Sequence, residues 1–371
     1  DYIGQYRQNR EYDGSFRESS YDKEQRDVAF WKHYFEGMPL HEIGIVACRQ
    51  AEQDCRNYPK NIDAIKAAKL CREDHGLNTT GVQATKTRLK VLQRIFSHAL
   101  KYQWIQSDPS GVIDTKQRRG SSDTDKEPFT LEELQAIFPG SNYGIDFFPR
   151  PASRERQYDA AKFWIPLIAA FTGARLGEII QLELNDIKQD ASGTRYFHIT
   201  TESDDEDSGK ELKTASSRRR VPIHSQLIEI GLLDYVKERQ RHPSKPTGLF
   251  DHYFRSRHPN GAKITTWFKG GPNGKDRNGK PRFRSGYLDR RGLKTSPKQR
   301  GTQTSISFHS FRHTFIDAAR HAETAETAGA LSWIVGHRKG EDPSLAQASE
   351  AKMSTGYGTG GSLPKLRKLI E

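Results

Sequence analysis

Several features are scarce in this 371-residue chain, and each scarcity excludes something. It has three cysteines, Cys48, Cys55 and Cys71, too few for a disulfide framework at this length, which points to a reducing compartment. The longest apolar stretch, Phe163–Phe171, contains Pro166 and is less than half of the roughly 20 residues that a membrane helix requires. The pattern of charged start, apolar run and small-residue cleavage site that marks a secretory leader is absent from the first residues. Apolar residues make up 34%, below the globular norm of about 45–50%, so much of the chain must be surface, loop or tail. Negative charge is the scarcer sign: 47 Asp and Glu face 59 Lys and Arg, a formal net charge of +12 that favours polyanionic partners. At about 100–200 residues per domain, the length suggests two or three domains.

Residues 1–22 are polar, with Tyr and Arg interspersed without period, and read as a flexible tail or the remnant of a preceding module. The chain opens at Asp1 rather than Met, so residues upstream of it are expected. From 23 to 113 the pattern is helical, with Val28, Trp31 and Phe35 at helical spacing. Further candidates are Ile43–Arg56, Ile62–Glu73 and the longest, Thr79–Ile105, where Leu89, Leu92, Phe96 and Leu100 recur at three- and four-residue steps. That last helix carries Lys86, Arg88, Lys90 and Arg94, either a solvated face or one lying along phosphates. Residues 114–128 are a linker by composition. The second domain, 129–371, opens with a T-x-x-E capping box at Thr130 and Glu133. Two strands are expected at Arg195–Thr200 and Arg219–His224, and helices at Ala160–Phe171, Leu176–Leu184, Gln226–Gln240 and Phe308–Ala322. Between the strands lies an acidic excursion, 201–217. Residues 255–300 hold 14 Lys and Arg against Asp276 and Asp289, and read as a mobile, basic, glycine-rich insertion or loop.

Five places in the second domain have the residue types that phosphate chemistry needs. TGARLGEII places Arg175 after a Thr172–Gly173 stop, with Glu178 on the same helix face. Lys213 precedes the second strand, with Lys210 a competing choice. FHSFRHTF places His309, Arg312 and His313 at i, i+3 and i+4. This stretch lacks the Glu of H-E-x-x-H, and its arginine opposes a cation, so an anion site is favoured over a metal or packed histidines. WIVGH leaves His337 just beyond Gly336, and Tyr357 sits between glycines in MSTGYG. Taken together, two guanidiniums can each bind the nonbridging oxygens of a phosphodiester, histidines can add hydrogen bonds, a lysine can protonate a departing oxygen and a phenol can attack phosphorus. With charge met by fixed donors, neither metal nor other cofactor is called for.

In this order and wording the segments resemble the tyrosine recombinase (phage integrase) family: ARLGEI at 174–179, LKT at 212–214 before RRRVPIH, HSFRHTF at 309–315, GH at 336–337 and MSTGYG at 353–358. The resemblance covers about 127–371, and more loosely 23–112, most clearly Thr79–Pro109. It implies a mostly α fold with a small antiparallel sheet (α+β), in which a helical core-binding domain and a catalytic domain form a C-shaped DNA clamp. By the same resemblance, Arg175 and Arg312 clamp the phosphate, and His309 and His337 handle phosphate and proton. Lys213 is the general acid for the 5′-oxygen, Tyr357 the nucleophile forming a 3′-phosphotyrosyl bond, and Glu178 a supporting acid; His313 packs. Lys86, Arg88, Lys90 and Arg94 are expected on the DNA.

The implied partners are double-stranded DNA, a homotetramer on two DNA sites and accessory DNA-bending proteins, with no membrane, and the implied place is the cytoplasm at the nucleoid. The implied role is integration or excision of a mobile element. Resolution of chromosome or plasmid dimers, type IB topoisomerase activity and a catalytically dead DNA-binding protein are the alternatives. The chain departs from the family pattern in placing Tyr357 twenty residues after His337, about twice the usual separation. The tail, 361–371, is expected to dock on a neighbouring subunit.

Overall fold

The structure, a computed structural model, describes residues 2–12, 16, 18–115, 126–143, 156–203, 210, 212, 217–250, 261–275, 281–301, 305–327, 329–336 and 363–371. The chain divides into two compact units, Asp1–Gly120 and Ser121–Glu371.

The first unit is helical: α1 (Tyr2–Tyr12), α2 (Glu18–Tyr34), α3 (Ile45–Arg56), α4 (Ala64–Leu70) and α5 (Val82–Lys101). Its core follows the 3.6-residue period. Phe30, Trp31 and Tyr34 of α2 meet Cys48, Ala51 and Cys55 of α3 and Leu89, Leu92, Phe96 and Ala99 of α5. The Trp31 indole N–H donates to the Arg88 carbonyl at 2.9 Å. All three cysteines are buried, and burial pushes their thiols up, Cys48 and Cys55 to about 11 and Cys71 to about 12. They act as small apolar packing groups.

Two expectations for this unit are corrected. Residues 1–22 do not form an aperiodic tail: α1 is helical, and its Tyr2 hydroxyl donates to Glu24 Oε1 at 2.6 Å while its ring meets His98 edge-on. The basic residues of α5 do not form one outward face. Arg88 is 9% exposed; its Nε donates to Asp27 Oδ1 at 3.1 Å and its guanidinium lies 3.4 Å from the Tyr58 ring centroid. It cannot reach a phosphate without leaving Asp27 buried and unpaired, so it is withdrawn from the DNA-facing set. Arg94 makes a two-pronged pair with Glu24, at 3.0 and 2.6 Å. Lys90 is exposed and Lys86 half-buried.

In the second unit α6 (Leu131–Ile137) starts with the capping box: Glu133 N donates to Thr130 Oγ1 at 3.2 Å, and Thr130 N to Glu133 Oε2 at 3.0 Å. The long α7 (Arg156–Thr172) and short α8 (Leu176–Ile180) follow. Then comes a three-stranded antiparallel sheet, β1 (Ile187–Gln189), β2 (Arg195–Ile199) and β3 (Arg219–Pro222), with β2 in the middle and Phe197 opposite both Ile187 and Val221. The expected single helix over 226–240 is two, α9 (Ser225–Glu229) and α10 (Leu232–Arg241), parted at Gly231, whose φ of 104° no helix interior accepts.

Of the insertion or loop expected at 255–300, the described residues form regular elements. These are α11 (Gly261–Lys269), a ribbon of β4 (Gly270–Lys275) and β5 (Pro281–Ser285), α12 (Tyr287–Arg290) and α13 (Pro297–Arg300). Ile264, Phe268 and Tyr287 enter the main core, and the Tyr287 hydroxyl donates to the Ile137 carbonyl at 2.6 Å. The chain continues through α14 (Ser310–Ala322), α15 (Ala330–Val335) and α16 (Leu363–Ile370). The tail helix α16, expected on a neighbouring subunit, packs on its own chain against β3, α14 and α15, with Leu369 buried and Glu371 held by Ser225 N and Oγ at 3.1 and 2.6 Å.

Arg88→Met is expected to lower stability by about 3–5 kcal/mol, because it strands the buried Asp27 carboxylate. Adding Asp27→Leu should restore most of the loss; thermal unfolding of the two variants checks this. Recovery absent in the double variant would mean that the Tyr58 and Phe30 contacts, not the charge pair, hold this corner.

Candidate active site

The site is assembled on a turn. Helix α7 ends at Thr172, whose hydroxyl bonds back to the Ile168 carbonyl and accepts from Ala174 N at 3.1 Å. Gly173 follows with φ of +60°, and a Cβ there would lie 2.6 Å from Phe315 Cδ1. Only glycine fits this conformation and this close approach. The chain emerges at Arg175, the N-cap of α8, with Glu178 as its third residue. Glu178 Oε2 accepts the Arg175 amide at 2.9 Å, and Oε1 accepts Arg175 Nη1 at 2.8 Å.

The same carboxylate takes a second arginine that sequence reasoning missed. Arg219 of β3 donates Nη2 to Glu178 Oε2 at 2.7 Å, Nε to the Ile334 carbonyl at 2.6 Å and Nη1 to the Ser217 carbonyl at 2.8 Å. A signal was present in the sequence: in a strand, Arg219 and Val221 share one face, and Val221 belongs to the core. Arg312, on the first turn of α14, is 3% exposed and donates to two carbonyls, Gly173 at 2.7 Å and Val335.

Three guanidiniums thus surround one carboxylate. Burial raises the Glu178 pKa, but Arg219 and then Arg175 outweigh it and hold the group down to about 2. Burial lowers Arg312, and repulsion from Arg175 and Arg219 adds to it, to about 10; only Glu178 opposes. The carbonyl partners satisfy donors without neutralising charge, so the cluster carries an excess of positive charge that an anion would relieve. Arg175, whose side chain is 27% exposed, is its solvent-facing member.

His309 precedes α14 and is exposed, with its ring edge-on to His313 at 5.0 Å. Partial loss of hydration, then His313, Arg312, Arg175 and Lys126, push its pKa below the ordinary histidine range. At neutral pH it is the uncharged form, able to donate one hydrogen bond. Arg175, Glu178, His309 and Arg312 are therefore brought together. Lys213, His337 and Tyr357 lie outside the described residues. Their chain neighbours are placed: Leu212 and Ser217, on either side of Lys213, are buried, and Gly336 ends α15 with φ of +66°. Lys210, the competing lysine, is committed elsewhere. Its ammonium is buried against Asp186 Oδ2 at 2.7 Å and Glu183 Oε2 at 3.1 Å, and it also donates to the Glu202 carbonyl. Of the two lysines, Lys213 is the one to propose as an acid.

No protein-family model matches the chain, and no curated protein matches it in sequence. Among solved structures it is similar to a lambda integrase dimer bound to a COC′ core site, with a TM-score of 0.49 and 11% identity over 91% of this chain and 94% of that one. It is also similar to the Tn1549 transposon integrase in complex with a circular intermediate DNA (0.49, 14% identity, 95% and 99% covered). A third is the XerH site-specific recombinase bound to difH substrate (0.41, 19% identity, 71% and 60% covered). None of these scores reaches 0.5, so the chemistry has to be argued from this chain's own residues.

Glu178 titrates below its ordinary 4.5, at about 2, so its stabilising contribution is full above the ordinary range and is lost as pH falls through that window. Melting temperatures measured from pH 7 down to pH 2 should show this loss in the wild type and lack that component in Glu178→Gln. The variant should also be less stable at pH 7 by about 3–5 kcal/mol, as the buried Arg219 and the partly exposed Arg175 lose their shared counter-charge.

Proposed function

We propose that the chain is a site-specific DNA recombinase of the tyrosine type, which cleaves and rejoins DNA through a 3′-phosphotyrosyl bond at Tyr357. The observation that carries this reading is the surplus of guanidinium charge around Glu178, opening to solvent at Arg175 and flanked by a neutral His309. A phosphodiester presents what that surplus lacks, two nonbridging oxygens that gain charge during displacement.

Arg175 and Arg312 hold those oxygens, and His309 donates a further hydrogen bond. The Tyr357 phenol attacks phosphorus, its proton passing to His337. The bond from phosphorus to the 5′-oxygen breaks, and Lys213 gives that oxygen a proton. In the reverse direction a partner strand's 5′-hydroxyl attacks the phosphotyrosine and gives its proton back to Lys213, the bond to the phenol oxygen breaks, and Tyr357 regains its proton from His337. The phosphotyrosyl linkage conserves the bond energy, so religation needs no nucleotide. Duplex DNA is the substrate, a homotetramer on two sites the working assembly, with accessory DNA-bending proteins as helpers, and integration or excision of a mobile element the role. Lys86, Lys90 and the partly exposed Arg94 remain candidates for DNA contact on α5.

The test uses a pool of nicked duplexes of randomised sequence, from which covalent complexes are trapped under denaturing conditions. Wild type is expected to give a protease-sensitive adduct at DNA 3′ ends, and Tyr357→Phe none. Lys213→Ala should lower adduct formation by about 10²–10⁴-fold on ordinary duplexes. It should regain most of it when the 5′-bridging oxygen is sulfur, since a thiolate leaves without a proton. A wild-type protein that binds the pool yet forms no adduct would overturn the reading.

A further inference from the structure

The β4–β5 ribbon joins α11 to α12. Arg282, Phe283, Arg284 and Ser285 alternate between its two faces, and all four are exposed, Phe283 at 76%. An isolated two-stranded ribbon is marginal in water. Here the root is fixed instead. At Gly270, with φ of +83°, a Cβ would lie 2.6 Å from the Arg284 carbonyl, and at Gly286 one would lie 2.2 Å from Gly270 N. The two strands can close on each other only because both positions are glycine. Directly beyond them stand Phe268 and Tyr287, both in the core. Helix α11 in turn leans on α8: a Cβ at Gly261 would come within 3.2 Å of Leu176. The ribbon therefore rides on the same body as Arg175.

Charge runs from the site to this root. Lys126 is near enough to His309 to disfavour its charged form, and Lys269, the last residue before the ribbon, does the same to Lys126, where burial is the larger cause. Between Gly270 and Arg291 there are seven Lys or Arg against two Asp. Arg290 folds back so that Nη1 meets the Ser285 carbonyl at 3.4 Å, adding a cation at the foot of β5.

We infer that the β4–β5 ribbon is a second DNA-contacting surface, on which Arg282 and Arg284 meet backbone phosphates next to the phosphate held at Arg175 and Arg312. This rests on the reading that duplex DNA occupies the site. A duplex with one phosphate there must run on past it, carrying one charge per about 1.7 Å of axis. A basic ribbon rooted beside that phosphate, with Arg282 and Arg284 exposed, complements that charge, and a two-stranded ribbon is a shape that a DNA groove admits.

The experiment measures binding of the full chain to a fluorescent mixed-sequence duplex over a range of salt, independently of cleavage. Arg282→Gln/Arg284→Gln is compared with Arg241→Gln/Arg320→Gln, an equal charge change at exposed positions on α10 and α14. The ribbon variant is expected to bind about tenfold or more weakly than the control, with the slope of log affinity against log salt shallower by about 2. Equal affinity and slope in the two variants would overturn the inference. A protein-docking ribbon would give that result together with loss of self-association in Phe283→Ser. If wild type forms the covalent adduct while the two variants bind alike, the ribbon inference alone fails. If wild type binds no duplex, the recombinase reading fails with it.

Discussion

Glu178 is one buried carboxylate that receives donors from two arginines on different elements, and the geometry of the second unit depends on it. Through Arg175 it fixes the start of α8. Through Arg219 it ties β3, and Arg219 in turn holds the carbonyl of Ile334 on α15. Three segments that are distant in sequence converge within hydrogen-bond range of these side chains. A buried ion pair is poor evidence for a gain in stability, since well-packed apolar residues often do as well. What apolar residues could not supply is a set of guanidinium groups at fixed positions and with charge to spare.

That spare charge is a matter of which acceptors are used. Guanidiniums need their N–H groups satisfied, and buried carboxylates would do it while cancelling the charge. Carbonyls of Gly173, Val335, Ile334 and Ser217 satisfy them and leave it in place. The arrangement is under electrostatic strain: burial and two neighbouring arginines make the Arg312 cation less favourable than in water and lower its pKa. An anion that binds at the solvent edge relieves this strain most when its own charge is greatest, which for a phosphodiester is during displacement rather than before it.

What the sequence made legible was local. Arg175 and Glu178 are three residues apart on one helix, and Thr130 and Glu133 form a box of the same span. Helix positions followed from apolar period, which the cores of both units obey. What was not legible depended on partners far away in the chain. Nothing near Arg88 announces Asp27, sixty-one residues earlier, so a basic helix face looked uniformly outward when one of its arginines pointed in. Gly270 and Gly286 suggested looseness, whereas they are the tightest point of the ribbon. The three-residue strand β1 is too short for alternation to show, and Arg219 was hidden in a run of three arginines of which one faces the core.

The segments that carry the proposed nucleophile and acid are constrained through their ends. The stretch with Lys213 leaves from Lys210, locked between Glu183 and Asp186, and returns at Ser217, whose carbonyl is held by Arg219. The stretch with Tyr357 leaves from Gly336 at the end of α15 and returns at α16, and these two helices pack on each other. Tyr357 is six residues from Leu363, so its Cα lies within about 20 Å of the start of α16 however the intervening chain runs. The two helices that this stretch joins pack on each other, and the entropic cost of such a connection grows only logarithmically with the number of residues in it. The carbonyl of Val335 that anchors Arg312 stands one residue before Gly336, where the segment with Tyr357 begins. In the proposed reading, the anchor of one phosphate-binding arginine and the root of the nucleophile segment are therefore adjacent positions of one short helix, so that whatever fixes α15 fixes both.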